Sequence, residues 1–357
     1  MQRPRPEAID VHAHVMPWPL LQGLARCGLA DLAGADERVV RLAPEVSGLP
    51  AGAPIPFPTE QYDLAARVAA MDARGVHVEA LSAPPFLFAA AATDDDFACD
   101  LARRSNDALA EFVGQAPERF VGLGTAPVGR PGAAGEARRC LDELHFVGVT
   151  LGTAGGGREL DDPINEALWA FLAERRAFAF LHPSGASSSE RLASYHLYQL
   201  LGYPSETALA VARLVFGGVL ERHSLTLCLA HGGGAIRALA PRLDLGWVRK
   251  SVARTTPEPP SAYLDRLCYD TAVFDTVALR RLIEDVGAER VLLGTDEPFD
   301  LADHTPCATI EALALDPEAE AAILGGNARR LLRLPGRRRE GQGKPRPYEK
   351  GGPAIPA

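Results

Sequence analysis

Eight short apolar runs, rich in Val, Leu, Phe and Ile, recur along the chain at 8–15, 76–83, 119–128, 146–153, 177–183, 225–233, 267–273 and 290–299. Several hold apolar residues at consecutive positions, which suits parallel strands covered on both faces better than a half-exposed sheet. The segments between them read as helices. Residues 62–75 have helical apolar spacing and end in Gly75, while 94–115 opens with Asp94, Asp95 and Asp96, acids that suit a helix N-terminus. Residues 161–176 carry Pro163 in the first turn, and 276–287 ends in Gly287.

Strands alternating with helices form a parallel sheet, and eight such units predict an α/β protein of the (β/α)8 TIM-barrel class. A doubly wound sheet is the alternative, but it usually begins with a Gly-rich phosphate loop, and none follows the first run. Residues 17–59, rich in Pro, Gly and Ala, predict an insertion after the first strand that lies over the barrel mouth. The organisation expected is one barrel domain over 1–335 and a disordered tail over 336–357, where Pro, Gly and charged residues replace apolar ones.

Composition narrows function more than fold. Of 357 residues, 47% are hydrophobic and 23% charged, as in an ordinary globular protein. A formal charge of −9 argues against nucleic-acid or anionic-membrane binding, which need a basic footprint. No run reaches the length of a membrane span, and "MQRPRPEAID" lacks the apolar stretch of a signal peptide. The cysteines at 27, 99, 140, 228, 268 and 307 have no CxxC spacing, so reduced thiols and a cytoplasmic location are expected.

The first run, "AIDVHAHV", ends in His12 and His14. Strand alternation puts both on one face. Two adjacent imidazoles are costly in a packed core unless something uses their nitrogens, and a metal ion is the commonest such thing. One satisfied core histidine beside one loop histidine would explain the pair equally well. The later runs tip the balance, because the fifth ends in His182, the sixth in His231 and the eighth in Asp296. Barrel chemistry sits at the C-terminal strand ends, so five polar residues from four strands converge on one mouth. Such nitrogen and oxygen donors suit zinc, manganese or another divalent first-row metal with a coordination position left open.

These residues sit in "IDVHAHVMP", "LHPSG", the block from Gly202 to Trp247, "CYDTAV", "VLLGTDEPF" and "ILGGNARRLL". Together the motifs, spread over residues 8–334, resemble the amidohydrolase superfamily, and within it the branch of aminocarboxymuconate semialdehyde decarboxylase. The resemblance implies that His12, His14, His182 and Asp296 ligate one divalent ion, usually zinc, with a water as fifth ligand. It implies that His231 is a general acid/base and that Asp296 serves catalysis as well as binding. Binuclear relatives place a lysine or glutamate at the end of the fourth strand, but here that strand ends "VTLGT", which favours a single ion.

A divalent ion lowers the pKa of bound water from about 16 toward roughly 7, and a neighbouring histidine can take and return its proton. The branch therefore implies non-oxidative decarboxylation of a small unsaturated or aromatic carboxylic acid. A hydrolase or hydratase on the same site is the first alternative, and a barrel that has lost catalysis and serves as a scaffold is the second.

Other candidates concern the substrate. The resemblance implies that Arg242 binds a carboxylate, acting in the neighbouring subunit's site of a homodimer; its planar fork suits that role. The family's other arginine is missing from "GAPIPFPTEQYD", before Asp63, and "HPWD" and "GTDYPFP" have become "HPSG" and "GTDEPFD". Glu297 is thereby a substrate-binding candidate, and the substrate typical of that branch is not expected. Asp270, at the end of the seventh run, could support a ligating histidine or hold a nearby backbone amide. Tyr195 and His196 could line the mouth or simply pack on the surface, whereas His77, His145 and His223 read as structural. The run Gly232–Gly234 lacks nucleotide-loop spacing, and close packing around His231 accounts for it.

Overall fold

The computed structural model describes residues 6–185 and 190–335; the tail expected over 336–357 lies outside the described residues. Eight strands form one sheet: β1 (Ile9–His14), β2 (Val78–Ser82), β3 (Phe120–Ala126), β4 (Gly148–Leu151), β5 (Phe178–Leu181), β6 (Thr226–Leu229), β7 (Cys268–Asp270) and β8 (Val291–Leu292). They are hydrogen-bonded in chain order and every neighbouring pair is parallel. The ring closes where the chain beyond β8 returns to β1: Val11 N donates to Leu293 O, Asp296 N to His12 O and His14 N to Glu297 O. This is the (β/α)8 barrel that the alternating runs predict, and each strand falls inside its run.

The principal helices are α1 (Leu64–Arg74), α2 (Asp95–Val113), α3 (Ala133–Asp142), α4 (Glu166–Arg175), α5 (Tyr203–Phe216), α6 (Ile236–Arg249) and α7 (Thr276–Val286). Their ends follow from local chemistry. Asp63, Asp94 and Asp275 each accept hydrogen bonds from first-turn amides as N-caps of α1, α2 and α7. Gly75 ends α1 in the left-handed conformation, φ 74°. Among the described residues no helix is long and apolar enough to cross a membrane.

One cluster of buried side chains draws Ile9, Val11, Ala80, Leu123, Phe178, Phe180, Cys228, Cys268 and Leu292 from seven of the eight strands and fills the barrel below the mouth. Residues 17–59 carry a helix (Trp18–Arg26) and a small antiparallel sheet of three short strands. Their apolar side chains, Leu21, Val40 and Phe57 among them, bury against Leu87, Phe88 and Leu101 after β2. The segment therefore sits on the same end of the barrel as His14.

Candidate metal centre

β1 does not keep strict alternation. Ile9 and Val11 join the inner cluster, and the pairing with β2 then shifts register between Asp10 and Ala13. A bulge of this kind re-aims the next side chain, and it turns His12 inward one residue after Val11. The His12 ring lies 4.9 Å from Phe180, and His14, two residues on, shares that face with ring centroids 5.1 Å apart. His182 follows the last residue of β5, and Asp296 lies beyond β8.

One ligand atom from each of His12, His14, His182 and Asp296 lies within 4.8 Å of all the others, and all four residues are buried. Each imidazole is anchored through Nδ1. His12 Nδ1 is 2.6 Å from Asp270 Oδ2, His14 Nδ1 3.2 Å from the Ser82 hydroxyl, and His182 Nδ1 2.8 Å from the Pro183 carbonyl. A carboxylate and a carbonyl only accept, so the Nδ1 atoms of His12 and His182 are donors. All three Nε2 atoms remain, buried and without a hydrogen-bond partner. Asp296 Oδ1 approaches two of them, at 3.1 Å from His12 and 3.2 Å from His14. Ligands about 2.0–2.2 Å from a shared zinc-like ion would stand about 3–3.5 Å apart. Three imidazole nitrogens gathered around one buried carboxylate are the donor set of a cation site, and the set fits a divalent metal.

Electrostatics agree. Burial opposes charge on His12, yet Asp296 and Asp270 outweigh it and push its pKa up to about 10. Burial holds His14 below, and His182 well below, the usual histidine value. Burial also works against the Asp296 carboxylate, yet His12, His14 and His231 hold its pKa well below the usual range. Without metal, a proton on His12 balances the carboxylates; a divalent ion would take over that role.

His231 stands beside this set, not in it: its Nε2 is 3.2 Å from Asp296 Oδ2. Both residues sit in the left-handed region, φ 55° for His231 and 68° for Asp296, a conformation that costs a non-glycine residue about 1–3 kcal/mol. Packing forces the glycines after His231. A Cβ on Gly232 would lie 2.3 Å from Val273 Cγ1, and one on Gly234 2.3 Å from the Pro204 carbonyl oxygen. His231 and Asp296 open onto a cavity of about 690 Å³ walled by Leu200, Tyr203, Pro204, Val273 and Leu282, among others.

The remaining candidates are placed elsewhere. Asp270 is fully buried and spans the site, with Oδ2 on His12 and Oδ1 accepting from the Gly232 amide at 2.7 Å. The Glu297 carboxylate meets Arg74 at 3.0 Å and His304 at 2.7 Å and does not line the cavity. Arg242 is exposed on α6, and Tyr195 and His196 are exposed away from the cavity lining. His77 accepts from the Ala8 amide through Nδ1, and His223 pairs with Glu166. Sequence reasoning passed over Arg67, which is fully buried and bonds Glu79 at 2.6 Å and the His14 carbonyl at 3.1 Å. Its one signal was Glu79, a charge in the middle of an apolar run.

A 2-amino-3-carboxymuconate-6-semialdehyde decarboxylase from Dictyostelium discoideum is 32% identical over 333 residues, 91% of each chain. A gamma-resorcylate decarboxylase from Rhodococcus jostii (strain RHA1) is 32% identical over 257 residues, 66% of this chain and 78% of that one. The crystal structure of 5-carboxyvanillate decarboxylase from Sphingomonas paucimobilis superposes with a TM-score of 0.75 at 26% identity, covering 92% of this chain and 99% of that one. The amidohydrolase family model matches residues 9–334, and the chain belongs to that family.

Proposed function

We propose that this protein is a metal-dependent carboxy-lyase that decarboxylates a small aromatic or unsaturated carboxylic acid without net oxidation. One observation carries the reading: buried ligand atoms of His12, His14, His182 and Asp296 lie within 4.8 Å of one another, with His231 beside them at the edge of an apolar cavity. The names of the three relatives given above, each a decarboxylase, support it. His12, His14, His182 and Asp296 would hold the ion. Zinc is the ion proposed, since three imidazoles and one carboxylate suit it, with manganese or another first-row metal as the alternative. When bound, the ion supplies a Lewis acid that stabilises negative charge developing on a substrate oxygen.

His231 holds a proton at Nε2 against Asp296 and delivers it to the carbon that loses the carboxylate. The bond from that carbon to the carboxylate breaks, carbon dioxide leaves, and the proton takes its place on the electron pair left behind. Apolar walls favour this direction, because they disfavour a buried carboxylate far more than neutral carbon dioxide. Asp270 fixes the His12 ring and, through the Gly232 amide, the turn that carries His231.

A homodimer belongs to the same reading. Among the described residues, every exposed large apolar side chain lies between Tyr195 and Val277. On α6, Leu239, Arg242, Leu245 and Val248 are all exposed. Exposed apolar side chains gathered in one stretch of the chain suit an interface between two copies, in which Arg242 would bind the partner's substrate. Six cysteine thiols without disulfides go with a cytoplasmic location.

The test is product analysis. Metal-loaded protein given a panel of aromatic and unsaturated acids should release carbon dioxide in step with the descarboxy product. Addition of water, or ester or amide cleavage without carbon dioxide, would replace the reading with a hydratase or hydrolase.

A further inference from the structure

The cavity beside His231 runs down the outside of the barrel between α6 and α7. Ala278, Arg281, Leu282 and Asp285 line it from one stripe of α7, at i, i+3, i+4 and i+7. Those seven steps at helical rise span about 10 Å, so the space extends well beyond His231.

Its charges are already committed, with one exception. Arg237 donates through Nε to Asp285 at 2.6 Å and through Nη1 to Asp265 at 2.8 Å, so the arginine and the lining acid are both already paired. Asp296 belongs to the histidine cluster. Arg281 is exposed toward the cavity, and among the described residues no acid pairs with it. The rest of the wall is largely apolar, with Leu200, Val273, Phe274 and Leu282 prominent. An apolar space with a metal set at one end and one unpaired guanidinium along its wall matches a ligand with an apolar body and two anionic groups.

The geometry points to Arg281 as a specificity-determining residue that binds a second anionic group of the substrate, so that the protein prefers aromatic dicarboxylates to monocarboxylates. This rests on the proposed carboxylic acid substrate and deepens it. Arginine suits the role because its fork takes a carboxylate bidentately and stays charged. The carboxylate to be lost goes to the metal end, and the other stays on Arg281 through the reaction.

The experiment titrates metal-loaded protein with benzoate and with isophthalate in a calorimeter, for the wild type, Arg281→Met and Arg281→Lys. Met keeps the apolar stem and removes the charge. The wild type should bind isophthalate about tenfold or more tightly than benzoate, the scale of one charge-assisted carboxylate contact. Arg281→Met should abolish that preference with benzoate affinity and metal content unchanged, and Arg281→Lys should restore part of it. Equal affinities in the wild type, no measurable isophthalate binding, or an intact preference in Arg281→Met overturns the assignment. So does conversion of Arg281→Met to a different oligomeric state, which would make the residue an interface contact. Selective isophthalate binding by a protein that releases carbon dioxide from no acid would leave Arg281 in place and remove the decarboxylase reading.

Discussion

His12 Nδ1 and Asp270 Oδ2 lie 2.6 Å apart although 258 residues separate them in the chain, and both side chains are fully buried. The contact joins β1 to β7 past the intervening β8. It fixes which nitrogen of His12 faces the centre, and the other oxygen of the same carboxylate holds the turn after His231. Asp270→Asn keeps an acceptor but removes the charge that makes His12 a strong ligand. Metal affinity, read by competition with a chelator, should fall about 10- to 100-fold with the circular dichroism spectrum unchanged. Unaltered affinity would separate Asp270 from the centre.

His182 and His231 should behave oppositely. His182→Ala removes one of four ligands and should lose the ion during dialysis. His231→Asn should keep about one ion per chain while turnover drops about 100-fold or more, the usual scale of a lost acid/base group. Metal content by elemental analysis beside kcat makes the comparison, and a near-normal rate in His231→Asn would end its proposed role.

Metal binding should release about one proton per ion at pH 8. In the metal-free chain His12 is protonated below its pKa of about 10, whereas His14 and His182 are already neutral and Asp296 already ionised. A ligating imidazole must give up its proton, so affinity should rise about tenfold per pH unit between pH 7 and 9. Calorimetry in buffers of different ionisation enthalpy counts the proton. Zero release would mean that His12 is neutral before the ion arrives.

Arg67→Met should destabilise the fold by about 3 kcal/mol, because the buried Glu79 carboxylate would keep only Arg74 as a partner. The change should also weaken metal binding, since Arg67 holds the His14 carbonyl. Urea midpoints measure the first effect and chelator competition the second. An unshifted midpoint would show that water or Arg74 replaces the pair.

Mixing Arg242→Ala chains with His231→Asn chains should restore activity, if Arg242 works in its partner's site. Random re-pairing makes about half the dimers hybrid, each with one complete site, so recovery should reach about a quarter of the wild-type rate. No recovery after subunit exchange would confine Arg242 to its own chain.

The barrel and the convergence of its polar residues are legible in the order of amino acids. Consecutive apolar positions mark strands buried on both faces, and eight strand–helix units leave few ways to close a parallel sheet. Because strand ends meet at one mouth, His12, His14, His182, His231 and Asp296 can be gathered from the chain alone. What those residues touch is settled only by folding. Alternation would have put His12 opposite Val11, and only the bulge in β1 brings both inward. Glu297 reads as a pocket acid in "GTDEPFD", but Arg74 and His304 claim its carboxylate. Arg281 reads as one of two adjacent helix arginines, and only the packing of α7 beside α6 sets it on the cavity wall while Asp285 and Asp265 neutralise Arg237. Periodicity is a property of neighbours along the chain, so it is written in the sequence. Charge pairing is settled by distance between segments that are not neighbours along the chain, and it exists only once the barrel has closed.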